Sequence, residues 1–295
     1  MIEIKNLSKR FDKVQACNNL TVNIDKGIVG LVGENGAGKS TLLRLISNII
    51  YQDSGEITID EYKNSNKEAK ELVFFLPDDP YIKAYQTIKS VFEFYNNFYK
   101  LDKDKFYRLI DTFSLPIGRK VSGFSKGMKR QLFIALALSV DCKYILLDEA
   151  FDGLDPLVMN TIKEEILNLK EEGRCIIIAS HNINALDQLA DRILILYKGS
   201  LTKDGKSEDL ATEMVKYQIA QKEELDEKVL LENEFKVISL KKVGSIYHVV
   251  IYKNDDFMPF INKNYKPLIL EEIPLDPEEI VMLNMMVSRK ESKHE

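Results

Sequence analysis

No apolar run in this 295-residue chain approaches the ~20 residues that span a bilayer. The longest runs, such as Cys175–Ala179 and Ile193–Tyr197, have the length of strands, so the chain is not expected to cross a membrane by itself. Cysteine is scarce. Cys17, Cys142 and Cys175 are scattered without disulfide or metal spacing, which excludes a disulfide scaffold and fits small apolar fillers in a reducing compartment. The only histidines are His181, His248 and His294, too few for a histidine-rich metal site. Basic residues are not in surplus: 41 Lys and Arg against 46 Asp and Glu give a formal charge of −5, so no nucleic-acid partner is expected. The opening Met1–Lys5 alternates like a strand instead of running from basic to apolar, so no targeting segment is expected. Repeats are absent, and low complexity is confined to the charged stretch Ser288–Glu295.

What the chain does have is patterned apolar sequence. Residues 1–30 read as short strands with a turn near Lys9–Lys13, and Ser54–Ile59 as a turn and strand. Leu72–Leu76 reads as a strand stopped by Pro77. From Ile88 to about Val140 the periodicity is helical. Val91, Phe92, Phe94, Tyr95, Phe98 and Tyr99 form a broad aromatic face that reads as core, continued by Phe106, Leu109, Ile110 and Phe113. Tyr144–Leu147 and Cys175–Ala179 are continuous apolar runs, as in parallel strands buried on both faces. The helix between them opens with Asp155 as cap and Pro156 in its first turn, a strand–helix–strand crossover. Further on, Ala211–Glu234 reads as a charged helix, Phe235–Lys241 and Tyr247–Tyr252 as paired strands, Pro267–Glu271 as a strand and Pro277–Met286 as a helix.

Gly33 to Thr41 read Gly-Glu-Asn-Gly-Ala-Gly-Lys-Ser-Thr, after the apolar run Gly27–Val32 and before Leu42–Ile46. This is a phosphate-binding P-loop in its required strand–loop–helix setting. Gly33, Gly36 and Gly38 let the backbone curl and aim N–H groups at one anion, with Asn35, Ala37 and Thr41 completing the loop. The helix opening near Gly38 adds its positive end. Lys39 offers a charge for the outer phosphates and Ser40 a hydroxyl for Mg²⁺. The chain is therefore expected to bind a nucleoside triphosphate.

Two further strands end in polar residues at what should be the same sheet edge. Tyr144–Leu147 ends in Asp148, suited to a Mg²⁺ shell, and Glu149, suited to orienting or deprotonating an attacking water. Ile176–Ala179 leads through Ser180 to His181, suited to the terminal phosphate or the water. Ser125 reads as the cap of a helix over Lys126–Val140, an anion-binding start in its own right.

Over about residues 1–205 these motifs resemble, in kind and in order, the ATP-binding cassette (ABC) ATPases: P-loop Gly33–Thr41, signature-like Phe124–Met128, the strand Ile145–Asp148 with Glu149, Asp152–Asp155, and His181. The resemblance implies an α/β fold: a P-loop NTPase cassette with a mixed sheet core over 1–205, a helical subdomain at about 78–140, and a small C-terminal α/β accessory domain over 206–295. It implies ATP and Mg²⁺ as cofactors, Lys39, Glu149 and His181 as catalytic residues, and Phe11 stacking on adenine, where the bare residue would read as core. Ser125 and Gly127 would contact the nucleotide of a second cassette packed head to tail, as homodimer or heterodimer.

Two positions depart from the family. Around Ser125 and Gly127 the usual Leu-Ser-Gly-Gly-Gln is replaced at Phe124, Lys126 and Met128; Lys126 reads equally as a phosphate contact or a solvent-facing cation. After Pro77, where the family places a glutamine, stands Asp78, a possible Mg²⁺ ligand directly or through water. Both variations resemble cassettes of ABC-2-type exporters of drugs and antimicrobial peptides. The expected function is ATP-driven export through a separately encoded integral membrane permease, docked near Asp78–Phe113, at the cytoplasmic face of the membrane. The alternatives are a soluble ABC-type ATPase in a non-transport process and a non-hydrolysing sensor; Glu149 argues against the sensor.

Overall fold

In a computed structural model of the chain, residues 1–181, 183–206, 209–210 and 213–291 are described. The chain divides into two compact units, Met1–Leu201 and Thr202–Glu295.

The first unit begins with a hairpin. Strands β1 (Ile2–Phe11) and β2 (Val14–Ile24) pair antiparallel from Ile2↔Ile24 to Phe11↔Val14, and β4 (Ser54–Ile59) lies on the other side of β1. With β5 (Tyr62–Lys63) they form a sheet ordered β2-β1-β4-β5. The second sheet is ordered β10-β9-β3-β8-β7-β6, comprising β3 (Gly27–Val32), β6 (Val73–Leu76), β7 (Tyr144–Asp148), β8 (Cys175–Ala179), β9 (Arg192–Tyr197) and β10 (Ser200–Gly205). Strands β9, β3, β8, β7 and β6 run parallel. Their continuous apolar character follows from burial on both faces: every residue of β3, β7 and β8 is buried. Helix α1 (Lys39–Ile46) buries Leu42, Leu43, Leu45 and Ile46 in one core with Ile2, Ile4 and Leu7 of β1 and Leu146 and Ile177 of the parallel sheet. Each such side chain contributes about 1.5–3 kcal/mol by leaving water. Short α2 (Lys67–Glu71) leads into β6.

The helical segment holds α3 (Ile88–Asn96), α4 (Lys103–Thr112) and α5 (Lys126–Leu138). Each start is marked by a cap: Thr87 with Ser90 forms a capping box, Asp102 accepts from Lys105 N–H, and Ser125 accepts from Met128 N–H. The aromatic face read as core divides. Phe92 packs 4.9 Å from Phe106 and Tyr95 6.2 Å from Phe133, but Phe94 and Phe98 are exposed and meet edge-to-face at 5.3 Å. A face of that width exceeds what one helix can bury against one neighbour, so its edge stays in solvent.

Helix α6 (Pro156–Glu171) is capped by Asp155, whose carboxylate accepts from Leu157 and Val158 N–H. Its Glu165 is buried and meets Lys105 at 3.0 Å and Arg108 at 2.7 Å on α4. Burial alone would push this carboxyl up, but the Arg108 and Lys105 bonds hold it below its ordinary value. A depressed carboxyl contributes stability at pH values above its unfolded titration and loses it as pH falls through the folded one. Glu165→Gln should therefore lower the melting temperature at pH 7, and the gap to wild type should close as the solution is acidified; a gap independent of pH would contradict this. Cys17, Cys142 and Cys175 are all buried free thiols, each pushed up to about 12 by desolvation. Short α7 (Ile183–Asp187) follows β8.

The second unit is built on an antiparallel sheet ordered β12-β13-β11-β14, from β11 (Met214–Ala220), β12 (Val237–Val243), β13 (Ile246–Tyr252) and β14 (Ile269–Ile273). Helices α8 (Glu227–Glu232), α9 (Phe257–Tyr265) and α10 (Pro277–Glu291) accompany it. One core joins Tyr217, Val249 and Ile251 to Leu230, Phe257 and Ile261; a smaller one joins Met214, Ile238 and Val250 to Leu283. The charged helix expected over Ala211–Glu234 is corrected here. Residues 211 and 212 lie outside the described residues, Met214–Ala220 is a central strand, and only Glu227–Glu232 is helical. The charges misled because Lys216 is paired inside the unit with Glu279 of α10 at 2.6 Å.

Candidate active site

Strand register sets the site. In β3, Leu31 lies beside Ala179 of β8 and Leu194 of β9, and Ala179 lies beside Asp148 of β7. The residues that follow these positions, Gly33, Glu149 and His181, therefore emerge at one carboxyl edge of the sheet. Ser180 N–H donates to Leu31 O at 3.2 Å and Glu149 N–H to Ala179 O at 2.8 Å, closing the edge.

The P-loop bends from β3 into α1. Gly38 sits at φ +106°, and a Cβ there would lie 2.1 Å from Ala16 O of β2, so the position admits no side chain. Ala37 is buried and its carbonyl accepts from Gly199 N–H at 2.9 Å, whereas Asn35 and Gly36 form an exposed lip. No side chain caps α1 at Gly38, which leaves its first N–H groups, from Lys39 through Thr41, to an anion. Phe11 is exposed at the hairpin end, paired with Val14 and only a few residues along β2 from the Ala16 carbonyl that abuts Gly38. It is not core.

Lys39 is buried, and its Nζ donates to Gly33 O at 2.7 Å with Glu149 Oε1 at 3.7 Å. Ser40 Oγ donates to Asp148 Oδ1 at 3.0 Å. Asp148 is 1% exposed, and burial raises its carboxyl above the ordinary range despite the Ser40 bond. Glu149 adopts φ +47°, a left-handed conformation costing of order 1–3 kcal/mol, which turns its carboxylate from the strand line toward His181. His181 Nδ1 lies 2.8 Å from Glu149 Oε2, its N–H donates to the same oxygen at 3.3 Å, and its Nε2 lies 3.6 Å from Asp152 Oδ1. Lys39, Ser40, Asp148, Glu149 and His181 thus form one polar cluster at the mouth of the P-loop. The oxygens of Ser40 and Asp148 form a donor set suited to Mg²⁺.

Three sequence-selected residues lie outside this cluster. Ser125 caps α5 and Gly127 packs on Gly153, where an added Cβ would meet the Gly153 carbonyl at 3.3 Å. Asp78 Oδ1 accepts from Arg130 Nη2. Arg130 is the participant that sequence reading missed. An acidic residue where the resemblance expects a neutral glutamine was the signal, since a carboxylate in that loop calls for a counter-ion.

A P-loop opening a helix beside a parallel strand that ends in two carboxylates defines a P-loop nucleoside triphosphatase. The family model described as ABC transporter matches residues 17–152. The ABC transporter ATP-binding protein YtrB of Bacillus subtilis is 31% identical over 285 residues, covering 95% of this chain and 96% of that protein. The lantibiotic transport ATP-binding protein SrtF of Streptococcus pyogenes is 32% identical over 207 residues, covering 68% of this chain and 89% of that protein. Among solved structures, an ATP-binding subunit of an ABC transporter aligns with a TM-score of 0.66 at 26% identity, covering 72% of this chain and 92% of that chain. A dimeric bacterial ABC transporter cassette shares the fold, with a TM-score of 0.63 at 24% identity, covering 70% of this chain and 98% of that chain. The chain belongs to the ABC transporter ATP-binding proteins. It is the ATP-binding, ATP-hydrolysing subunit of a transporter, which disfavours a role outside transport.

Proposed function

We propose that this chain drives export through a separately encoded membrane permease, as one of two cassettes that close on ATP and reopen after hydrolysis. The observation that carries the catalytic part is the cluster of Lys39, Ser40, Asp148, Glu149 and His181 at one sheet edge. In this reading the N–H groups of the P-loop and Lys39 bind the phosphates, and Phe11 stacks on adenine. Ser40 and Asp148 hold Mg²⁺, which supplies charge neutralisation for the phosphates when bound. Glu149 orients the attacking water and accepts its proton, while His181 Nδ1 donates to the Glu149 carboxylate and keeps it aimed. Raised desolvation at Asp148 supports the metal role, because a divalent cation would offset the cost of burying that charge.

Ser125 caps the start of α5 and Gly127 follows it, an anion-binding helix start that in this reading serves the nucleotide of a second copy. A sandwich of that kind excludes water and adds donors around the terminal phosphate. The loop 77–87 and α3 offer exposed Tyr81, Tyr85, Phe94 and Phe98, a surface suited to a membrane partner. Among the described residues no helix is long and apolar enough to cross a membrane, so the permease would supply the crossing and hold this chain peripherally at its cytoplasmic face. The export direction draws on the relative named for lantibiotic transport.

Light scattering after size exclusion tests the assembly. Glu149→Gln with Mg-ATP should elute at twice the monomer mass, and without nucleotide as monomer. A monomer under both conditions would count against the two-copy sandwich.

A further inference from the structure

Arg130 lies on α5, in the first turns after its cap Ser125, and is 8% exposed. A buried guanidinium requires partners, and this one has them in two different segments. Its Nη1 donates to Asp152 O at 2.7 Å and lies 3.9 Å from Asp152 Oδ2. Its Nη2 donates to Asp78 Oδ1 and, at 3.4 Å, to Asp78 O. One rigid planar fork therefore joins the loop 77–87 that follows β6 to the segment 149–155 that follows β7. Beyond Asp152 the next groups are His181, whose Nε2 lies 3.6 Å from Asp152 Oδ1, longer than a hydrogen bond, and Glu149, which His181 Nδ1 meets at 2.8 Å. The packing of Gly127 on Gly153 holds the start of α5 against the same segment.

We infer that Arg130 is a positioning residue for hydrolysis, fixing Asp152, and through it His181 and Glu149, in an arrangement set by where the loop 77–87 holds Asp78. The inference rests on reading Glu149 as the water-orienting carboxylate. The geometry suits the task. Arg130 spans both segments because its planar guanidinium presents donors on two separate nitrogens in a fixed fork, whereas an ammonium offers its three donors from one rotating centre. Asp78 is half exposed on a loop that also carries the exposed Tyr81, so a body docking on that loop would move the carboxylate. Displacing Asp78 would leave a buried cation with only Asp152, among the described residues, to satisfy it and would draw Asp152 away from His181. The aspartate after Pro77 is then the acidic half of a bridge rather than a substitute metal ligand.

A double-mutant cycle on the full chain tests this. Turnover at saturating Mg-ATP, ATP affinity, the Mg²⁺ concentration giving half-maximal rate, and melting temperature are measured for Asp78→Asn, Arg130→Gln and the double variant. Arg130→Gln should lower kcat about tenfold or more, as small misplacements of catalytic groups do, with ATP affinity close to wild type. Asp78→Asn should cost less, leave the Mg²⁺ midpoint unchanged, and cost nothing further in the Arg130→Gln background. Additive losses, a shifted Mg²⁺ midpoint in Asp78→Asn, or near-wild-type turnover in Arg130→Gln would overturn the inference. Should Arg130→Gln fail to fold, Arg130→Lys keeps the buried cation and removes the fork: its kcat should fall at an unchanged melting temperature, and a wild-type kcat would overturn the inference. Glu149→Gln run in parallel separates the two readings. If it loses turnover while the Arg130 variants keep theirs, the inference alone fails; if it keeps turnover, the reading of Glu149 fails and takes the inference with it.

Discussion

Glu149→Gln is expected to bind ATP about as well as wild type and to release phosphate at least ~100-fold more slowly, the usual loss when a general base is removed. The substitution keeps the length and shape of the side chain, and glutamine meets the same backbone cost at φ +47° as glutamate. What it removes is the charge that faces His181 Nδ1 at 2.8 Å and Lys39 Nζ at 3.7 Å. Binding and turnover should therefore separate. Phosphate release and equilibrium ATP binding on one preparation decide the matter, and a rate within a few-fold of wild type would remove Glu149 from the base role. The loss should persist at high Mg²⁺, since Glu149 is not among the oxygens proposed to hold the metal.

Lys39→Ala should act on the other half of the cycle. Its ammonium is buried at the P-loop and held by the Gly33 carbonyl at 2.7 Å, and in the proposed role it binds a phosphate oxygen. A hydrogen bond to a charged group contributes about 1.5–3 kcal/mol, so ATP affinity should fall roughly 10- to 100-fold. Lys39→Met, which preserves the buried stem, should lose affinity to a similar degree and so separate charge from packing. Unchanged ATP affinity in both variants would sink the assignment of the loop.

How much of this was legible in the sequence depends on how local its causes are. The P-loop, β3, β7 and β8 could be read because a buried parallel strand is an unbroken apolar run, and because loop glycines such as Gly38 leave no alternative residue. Ser125 and Asp155 were legible as caps for the same reason: their hydrogen bonds reach only two or three residues along the chain. Where partners lie far apart in sequence, reading failed. Met214–Ala220 is a strand because β13 and β14 flank it and Glu279 neutralises Lys216, and neither fact is visible within a window around it. Phe94 and Phe98 have the helical spacing of core residues, and only the placement of α4 and α5 decides that they stay outside. The bridge from Asp78 through Arg130 to Asp152 belongs to the same class, three residues that meet only in the folded chain.

The three cysteines carry a practical consequence. Each thiol is buried, and burial pushes it up to about 12, so at neutral pH it stays protonated and shielded from reagents. The folded chain is therefore a nearly silent background for thiol chemistry. A fluorophore or spin probe introduced through sulfur would report from its own position alone, with the native sequence left as it stands.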